Sequence, residues 1–297
     1  MTEKIVSSRY YHKIGEILIP VCTWILITMP VWLSPFHPAV VAYFIIAFDL
    51  YFLYKSLTTA YFATLSYRRI LFYTDIPFAK KLQSHKHAGE VNHFIIIPNY
   101  KEPIYKLETT VEAITKSDYP YKRMHLVLAF EKREQEADEK AQALIRKFGH
   151  YFRDVILSYH VLLPHEAAGK ASNQTHAAKE VYAYAEKHGM DPKSTIITIC
   201  DADSLIAPNY FSYLTSEFLK DRDRLYHFYW APVLLYNNFW QLPFFVRMQA
   251  TLSSILRLAF LSQIEHLIHI STYSTNLWLL HSVDYWDVDI IPEDWHI

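Results

Sequence analysis

Glycine is scarce in this chain, with five among 297 residues. Neither Gly-x-Gly-x-x-Gly nor Gly-x4-Gly-Lys-Ser/Thr occurs, so a dinucleotide fold and a P-loop both lose their main support. Cysteine is scarcer still. Cys22 and Cys200 lie in separate apolar segments, which excludes a disulfide framework and a Cys-rich zinc site. Neither sign of charge is in surplus: the formal net charge is −1, so no global basic field points to nucleic acid as a partner. Aromatics, by contrast, are plentiful, with 23 Tyr and 18 Phe. That level fits membrane contact, a carbohydrate-handling surface, or both.

From Ile17 to Phe48 there is no Asp, Glu, Lys or Arg. As one helix this run would span about 48 Å at about 1.5 Å per residue, well beyond a hydrocarbon core of about 30 Å. Ser34-Pro35-Phe36-His37-Pro38 interrupts it with a strong turn signal. Two spans therefore fit better than one, roughly 15–34 and 38–60. A cleaved signal peptide fits poorly, because the apolar run is too long and lacks a small-residue cleavage site. Asp49, inside the second span, costs about 3 kcal/mol on insertion scales and is expected to face protein or a boundary. Lys4, Arg9 and Lys13 precede the first span, Arg68, Arg69, Lys80 and Lys81 follow the second, and the connector carries no basic residue. The positive-inside rule then predicts a multi-pass protein of the cell membrane with both ends cytoplasmic.

After Gly89 short apolar runs alternate with amphipathic stretches. Strands are predicted at Asn92–Pro98, Met124–Phe130, Val155–Leu162 and Thr195–Cys200, and helices at Ile104–Ser117, Lys132–Phe148 and Ala171–His188. That alternation implies βαβ units and a mostly parallel α/β sheet. Ligands of such sheets bind beyond the carboxyl ends of the strands, where Asn99-Tyr100, Glu131 and Asp201–Asp203 all fall.

Asp201-x-Asp203 directly follows an apolar strand. Two carboxylates there suit Mg²⁺ or Mn²⁺, hard ions that bridge to substrate phosphates; the plainer alternative is a cap on the next helix. Gly169-Lys170-Ala171-Ser172-Asn173 opens a helix, where a lysine beside free backbone N–H groups suits a diphosphate, although a solvated loop lysine would look the same. The charges from Lys132 to Lys140 read as a solvated helix face, leaving Glu131 as the one site candidate of that run. Glu265-His266-Leu267-Ile268-His269 lacks the His-Glu-x-x-His pattern and reads as interfacial or core. Gln241–His269, rich in Phe, Leu and Arg, reads as an amphipathic helix on a membrane or beside an acceptor channel, or as a plain core helix. Glu293-Asp294, between Pro292 and Trp295, has the look of a carboxylate at a pocket floor.

Pro98-Asn99-Tyr100-Lys101-Glu102-Pro103, Gly169 to Asn173, Asp201-Ala202-Asp203 and Glu293-Asp294, in that order, resemble the membrane-bound family 2 glycosyltransferases, which include cellulose and hyaluronan synthases and polyprenyl-phosphate sugar transferases. The resemblance covers about residues 90–297. It implies a GT-A fold, a Rossmann-like nucleotide-sugar-binding α/β domain, preceded here by two transmembrane helices. It further implies inverting transfer from a nucleotide-diphosphate sugar, a UDP-sugar favoured, to a polysaccharide or polyprenyl-lipid acceptor with Mg²⁺ or Mn²⁺. By position, Pro98, Tyr100 and Glu102 would line the nucleoside pocket, with Glu131 where the family usually has Asp. Lys170 and Asn173 would approach the uracil or diphosphate. Asp203 would bind the metal, with Asp201 beside it and the nucleotide sugar. Asp294 would be the general base, flanked by Glu293.

The organisation so implied is a cytoplasmic segment 1–14, a transmembrane hairpin 15–63, a linker 64–90 and a GT-A domain 91–297. Processive members continue with Gln-x-x-Arg-Trp and further spans, so a chain ending at Ile297 is expected to be truncated and itself inactive. A non-catalytic, membrane-bound nucleotide-sugar-binding protein is the competing expectation. A nucleotidyltransferase leaves the Glu-Asp pair without a role.

Overall fold

The structure is a computed structural model describing residues 2–263 and 271–289. The chain divides after Tyr61 into two compact units.

The first contains helix α1 (Thr2–Leu33) and most of α2 (Pro38–Thr74). The expected break is present: residues 34–36 form a turn, and Pro38 occupies the first position of α2, where its missing N–H costs nothing. Both helices are long and apolar enough to cross a membrane, with mean hydropathy 1.9 over Lys13–Leu33 and 1.6 over Pro38–Thr74. Their large apolar side chains, among them Trp24, Ile27, Val31 and Phe52, are exposed. The second helix runs 14 residues beyond the predicted 60, since no Gly or Pro interrupts 61–74.

The second unit begins at Phe62. After a short helix α3 (Phe78–Leu82) come β1 (Asn92–Asn99), α4 (Ile104–Thr115), β2 (Met124–Glu131), α5 (Ala137–Phe148), β3 (Asp154–His160), α6 (Lys170–Lys187) and β4 (Thr195–Ile199). Next are α7 (Tyr210–Lys220), β5 (Phe228–Trp230), α8 (Phe244–Phe260), β6 (Tyr273–Asn276) and α9 (Leu277–Ser282). The strands form one mixed six-stranded sheet in the order β3-β2-β1-β4-β6-β5. Strands β1 to β4 pair in parallel, and β6 runs antiparallel to both β4 and β5.

Every residue of β1 and β2 is buried, because both sheet faces are covered. Side chains alternate along a strand, so Ile95 and Ile97 meet Leu107, Val111 and Ile114 of α4 and Ala141 and Leu144 of α5 on one face. Phe94 and Ile96 meet Ala177, Ala178, Val181 and Ala185 of α6 on the other. The small residues of α6 let its backbone lie close to the sheet.

Two expectations are corrected. The charged stretch after β2 does not become helical at Lys132; the helix starts at Ala137, after a turn closed by Glu134 N–H donating to the Glu131 carbonyl at 2.9 Å. In the segment 241–269, the α-helix covers Phe244–Phe260 among the described residues, after a 3-10 turn that ends at Gln241; residues 264–270, which include Glu265, His266 and His269, lie outside them.

Two buried histidines sit on the sheet. His93 donates to or accepts from Thr215 Oγ1 at 2.8 Å, and burial, with His125 nearby, lowers its pKa to about 3. His125 stacks on Phe94 with ring centroids 4.2 Å apart; burial lowers it to about 4, partly opposed by Asp154. Both rings are neutral when folded and gain a proton more readily when unfolded, near pH 6.5. The unfolded chain thus binds more protons below that pH, and stability falls as pH drops from about 6.5 toward those lowered values. Unfolding by urea, followed by tryptophan fluorescence at pH 7.0 and 5.5, is expected to show this loss, and His93→Leu to reduce it.

Candidate active site

The carboxyl ends of β1, β2 and β3 and the start of α6 meet at one sheet edge. Pro98 is buried near the end of β1. Its missing N–H is tolerated in a central strand because the ladder to β4 ends at Ile96↔Ile199, two residues earlier. Tyr100, just past the strand, is 39% exposed, and the Arg133 guanidinium lies 4.2 Å from its ring centre.

Lys101 has φ +59°, a left-handed conformation costly for a residue with a side chain. A buried ion pair holds it there. Glu134 Oε2 accepts from the Lys101 N–H at 2.9 Å, and Glu134 Oε1 accepts from Lys140 Nζ at 2.7 Å. Lys140 also donates to the Glu102 carbonyl at 2.9 Å. Burial disfavours the Lys140 charge, but Glu134 and Glu136 outweigh it and raise its pKa. This corrects the reading of residues 132–140 as a solvated face: Glu134 and Lys140 are 5% and 7% exposed. The signal available was their i, i+6 spacing across a turn, which a helical reading conceals. The Glu102 carboxylate points elsewhere, to Lys106 Nζ at 3.0 Å.

Glu131 ends β2 and is 2% exposed. Its Oε2 lies 3.4 Å from both Arg133 Nε and His160 Nδ1. His160, at the end of β3, reaches Glu166 Oε2 through Nε2 at 2.9 Å. Burial pushes the Glu166 carboxyl up, but the Leu163 N–H and His160 together leave it below the usual range. Asn173 Nδ2 donates to the Ala129 carbonyl at 3.0 Å and the Asn99 carbonyl at 3.4 Å, tying α6 to the ends of β1 and β2. Several buried polar atoms here, Asn99 Oδ1, Asn173 Oδ1 and both amide atoms of Gln174, make no hydrogen bond among the described residues, whereas Glu131 Oε2 and His160 Nδ1 face each other. Buried polar atoms are rarely left so, which makes this edge a candidate place for a polar ligand.

Across the edge, Lys170 opens α6 after Gly169, and its Nζ lies 2.7 Å from Asp201 Oδ1. Ser271 Oγ donates to Asp201 Oδ2; sequence reasoning offered no signal for that partner, some 70 residues away. Asp201 and Asp203 do not cap the next helix, which begins only at Tyr210. The intervening loop is pinned instead by Thr110 Oγ1 donating to the Ala202 carbonyl at 2.9 Å and by Asn237 Nδ2 donating to the Asp203 carbonyl at 3.2 Å. The Asp203 residue is exposed. Neighbouring Cys200 is inert: burial, with the Asp201 charge, raises its thiol to about 12. No group of three or more His, Cys, Asp or Glu suited to a metal occurs among the described residues. An exposed carboxylate beside a second one still suits Mg²⁺, which takes one or two carboxylates and completes its shell from phosphates and water. Glu293 and Asp294 lie outside the described residues.

Residues 92–228 match the family model described as glycosyltransferase like family 2. The matched stretch runs from the start of β1 to β5 and holds Tyr100, Glu131, Lys170, Asp201 and Asp203. It lies within the mixed six-stranded α/β sheet. Among solved structures, the chain is similar to the mannosyltransferase PcManGT from Pyrobaculum calidifontis in complex with GDP-Man and Mn²⁺. The identity is 17% and the TM-score 0.44, over 80% of this chain and 61% of that one. It is also similar to S. aureus TarS 1-349, with 12% identity and TM-score 0.41 over 69% of this chain and 52% of that one. The same fragment with UDP-GlcNAc aligns at 13% identity and TM-score 0.38, over 69% and 51%. This chain thus spans about half to three fifths of the length of these structures. No curated protein matches it.

The buried pair at the Lys101 turn is open to a direct test. Glu134→Ala leaves Lys140 buried without its main partner and is expected to cost about 3–5 kcal/mol. Replacing both, Glu134→Leu with Lys140→Met, should recover most of that loss in urea unfolding.

Proposed function

We propose that this protein transfers a sugar from a nucleotide-diphosphate sugar to a polysaccharide or lipid-carrier acceptor at the cytoplasmic face of a membrane, with inversion at the anomeric carbon. The observation carrying this reading is the glycosyltransferase family match over 92–228, which frames the sheet edge where Tyr100, Glu131, Lys170, Asp201 and Asp203 gather.

In this reading the nucleoside lies against the exposed Tyr100 ring, between Pro98 and Glu102, and Glu131 accepts a base N–H. A UDP-sugar is the favoured donor. Lys170 at the start of α6 faces the diphosphate, where its charge and the positive end of the helix dipole favour an anion. Asn173 holds the ends of β1 and β2 in place beneath it. Asp203, with Asp201, would hold Mg²⁺ or Mn²⁺, which neutralises the leaving diphosphate. The Lys170–Asp201 pair would separate as Lys170 turns to phosphate oxygens. Asp294, flanked by Glu293, would take the proton of the acceptor hydroxyl, and a single displacement then inverts the sugar. The two apolar helices would tether the domain to the membrane, with their basic flanks on the cytoplasmic side.

Purified protein in lipid nanodiscs, offered a panel of nucleotide-sugars with Mg²⁺ or Mn²⁺, should release nucleoside diphosphate from one donor, with the product identified by mass spectrometry. Asp294→Asn should lower that rate by about 10²- to 10⁴-fold while leaving nucleotide binding intact. Asp203→Ala should abolish the Mn²⁺ dependence of nucleotide binding; binding that stays Mn²⁺-dependent overturns the metal assignment. Tight binding with no turnover of any donor would favour a non-catalytic nucleotide-sugar-binding protein.

A further inference from the structure

Helix α8 (Phe244–Phe260) is amphipathic the wrong way round for a water-soluble protein. Its buried positions are Ala250, Ser254, Leu258 and Ala259, mostly small, and Ser254 satisfies itself there by donating to the Ala250 carbonyl at 2.8 Å while accepting from the Leu235 N–H at 3.1 Å. Its outward positions are large and apolar. Phe245 is 74% exposed, Met248 49%, Leu252 56% and Leu256 46%, and their spacing of three, four and four places them on one helical stripe. Trp240, just before the helix, is 82% exposed, with the Arg247 guanidinium 6.0 Å from its ring centre.

A contiguous outward stripe of this kind marks a surface that meets something other than water. The neighbouring helix points to what that is. The inner side of α8 packs on the end of α2: Leu258 and Ala259 cluster with Ala63, and Ile255 and Leu234 with Phe62 and Ile70. The Ser66 and Ser262 hydroxyls are hydrogen-bonded at 2.6 Å. That same part of α2 also exposes Tyr67, Leu71 and Phe72, so the apolar surface continues onto the tail of a helix long and apolar enough to cross a bilayer. Tryptophan and arginine at one end of an apolar helical stripe are the residues that settle at the headgroup level.

We infer that α8 lies in the membrane interface, its Phe245–Met248–Leu252–Leu256 stripe among the acyl chains and Trp240 at the headgroups. This rests on the proposed membrane insertion of α2 and is independent of the reaction assigned to the site.

The experiment uses the full chain with Cys22→Ser, in liposomes of phosphatidylcholine and phosphatidylglycerol, carrying one nitroxide label at a time. Cys200 is buried and fully shielded. Labels go on Phe245→Cys and Leu252→Cys in α8, on Phe52→Cys as the check for insertion of α2, and on exposed Glu112→Cys of α4 as the aqueous reference. All four positions are exposed, so the labels should not disturb folding. Power-saturation measurements are expected to give oxygen accessibility above nickel-chelate accessibility at positions 245 and 252, as at 52, and the reverse at 112. If 52 reports lipid while 245 and 252 behave like 112, the inference is overturned and the membrane reading stands. If 52 also reports water, both fail together. Dipolar broadening between labels at 252 overturns the inference in favour of a second copy of the chain covering the stripe.

Discussion

Strand β1 has no side that meets water, and most of this domain follows from that. Its alternating side chains must be buried on two faces at once, which requires helices on both and hence parallel crossovers for its neighbours. Parallel strands end together. The residues that follow β1, β2 and β4 are therefore delivered to one edge, wherever they stand in the sequence. At β1 the sheet order also turns outward in two directions, toward β2 and toward β4, and pairing with β4 lapses at Ile96. The gap so opened is where a sheet of this kind accepts a ligand, and Pro98 keeps it open by having no N–H with which to extend the ladder.

The parts of the sequence read most directly were those governed by burial on two faces or by chain-breaking residues. Four near-continuous apolar strands, the helices between them and the turn at Ser34–Pro38 were legible because each carries a strong local signal. Three features were not. The short strand Phe228–Trp230 is too brief to show a period. The strand Tyr273–Asn276 is written in Ser, Thr and Asn, residues typical of turns; it is a strand because Thr198 and Ser274 share a buried hydrogen bond at 2.8 Å and its ladder pairs with β4. The Glu134–Lys140 pair looked like helix surface, since charge alone does not say which side of a turn it faces.

The same contrast runs through the site. Asp201, Asp203, Glu131 and Lys170 could be picked out as candidates by position because each follows a strand or opens a helix. Their partners could not: Ser271 reaches Asp201 from a distant loop, and His160 and Glu166 back Glu131 from a separate strand end. Strand ends deliver the groups that would meet a ligand, while the groups that orient them arrive through tertiary contacts with no sequence period.

The reversed amphipathicity of α8 has a practical side. Because its apolar stripe belongs to the second unit, removing residues 1–61 would take away α1 and most of α2 without producing a domain content in plain buffer. The remaining piece would still carry Trp240, Phe245, Leu252 and Leu256 on its outside and would self-associate through them. Handling it as a soluble enzyme would call for detergent, or for polar replacements along that stripe.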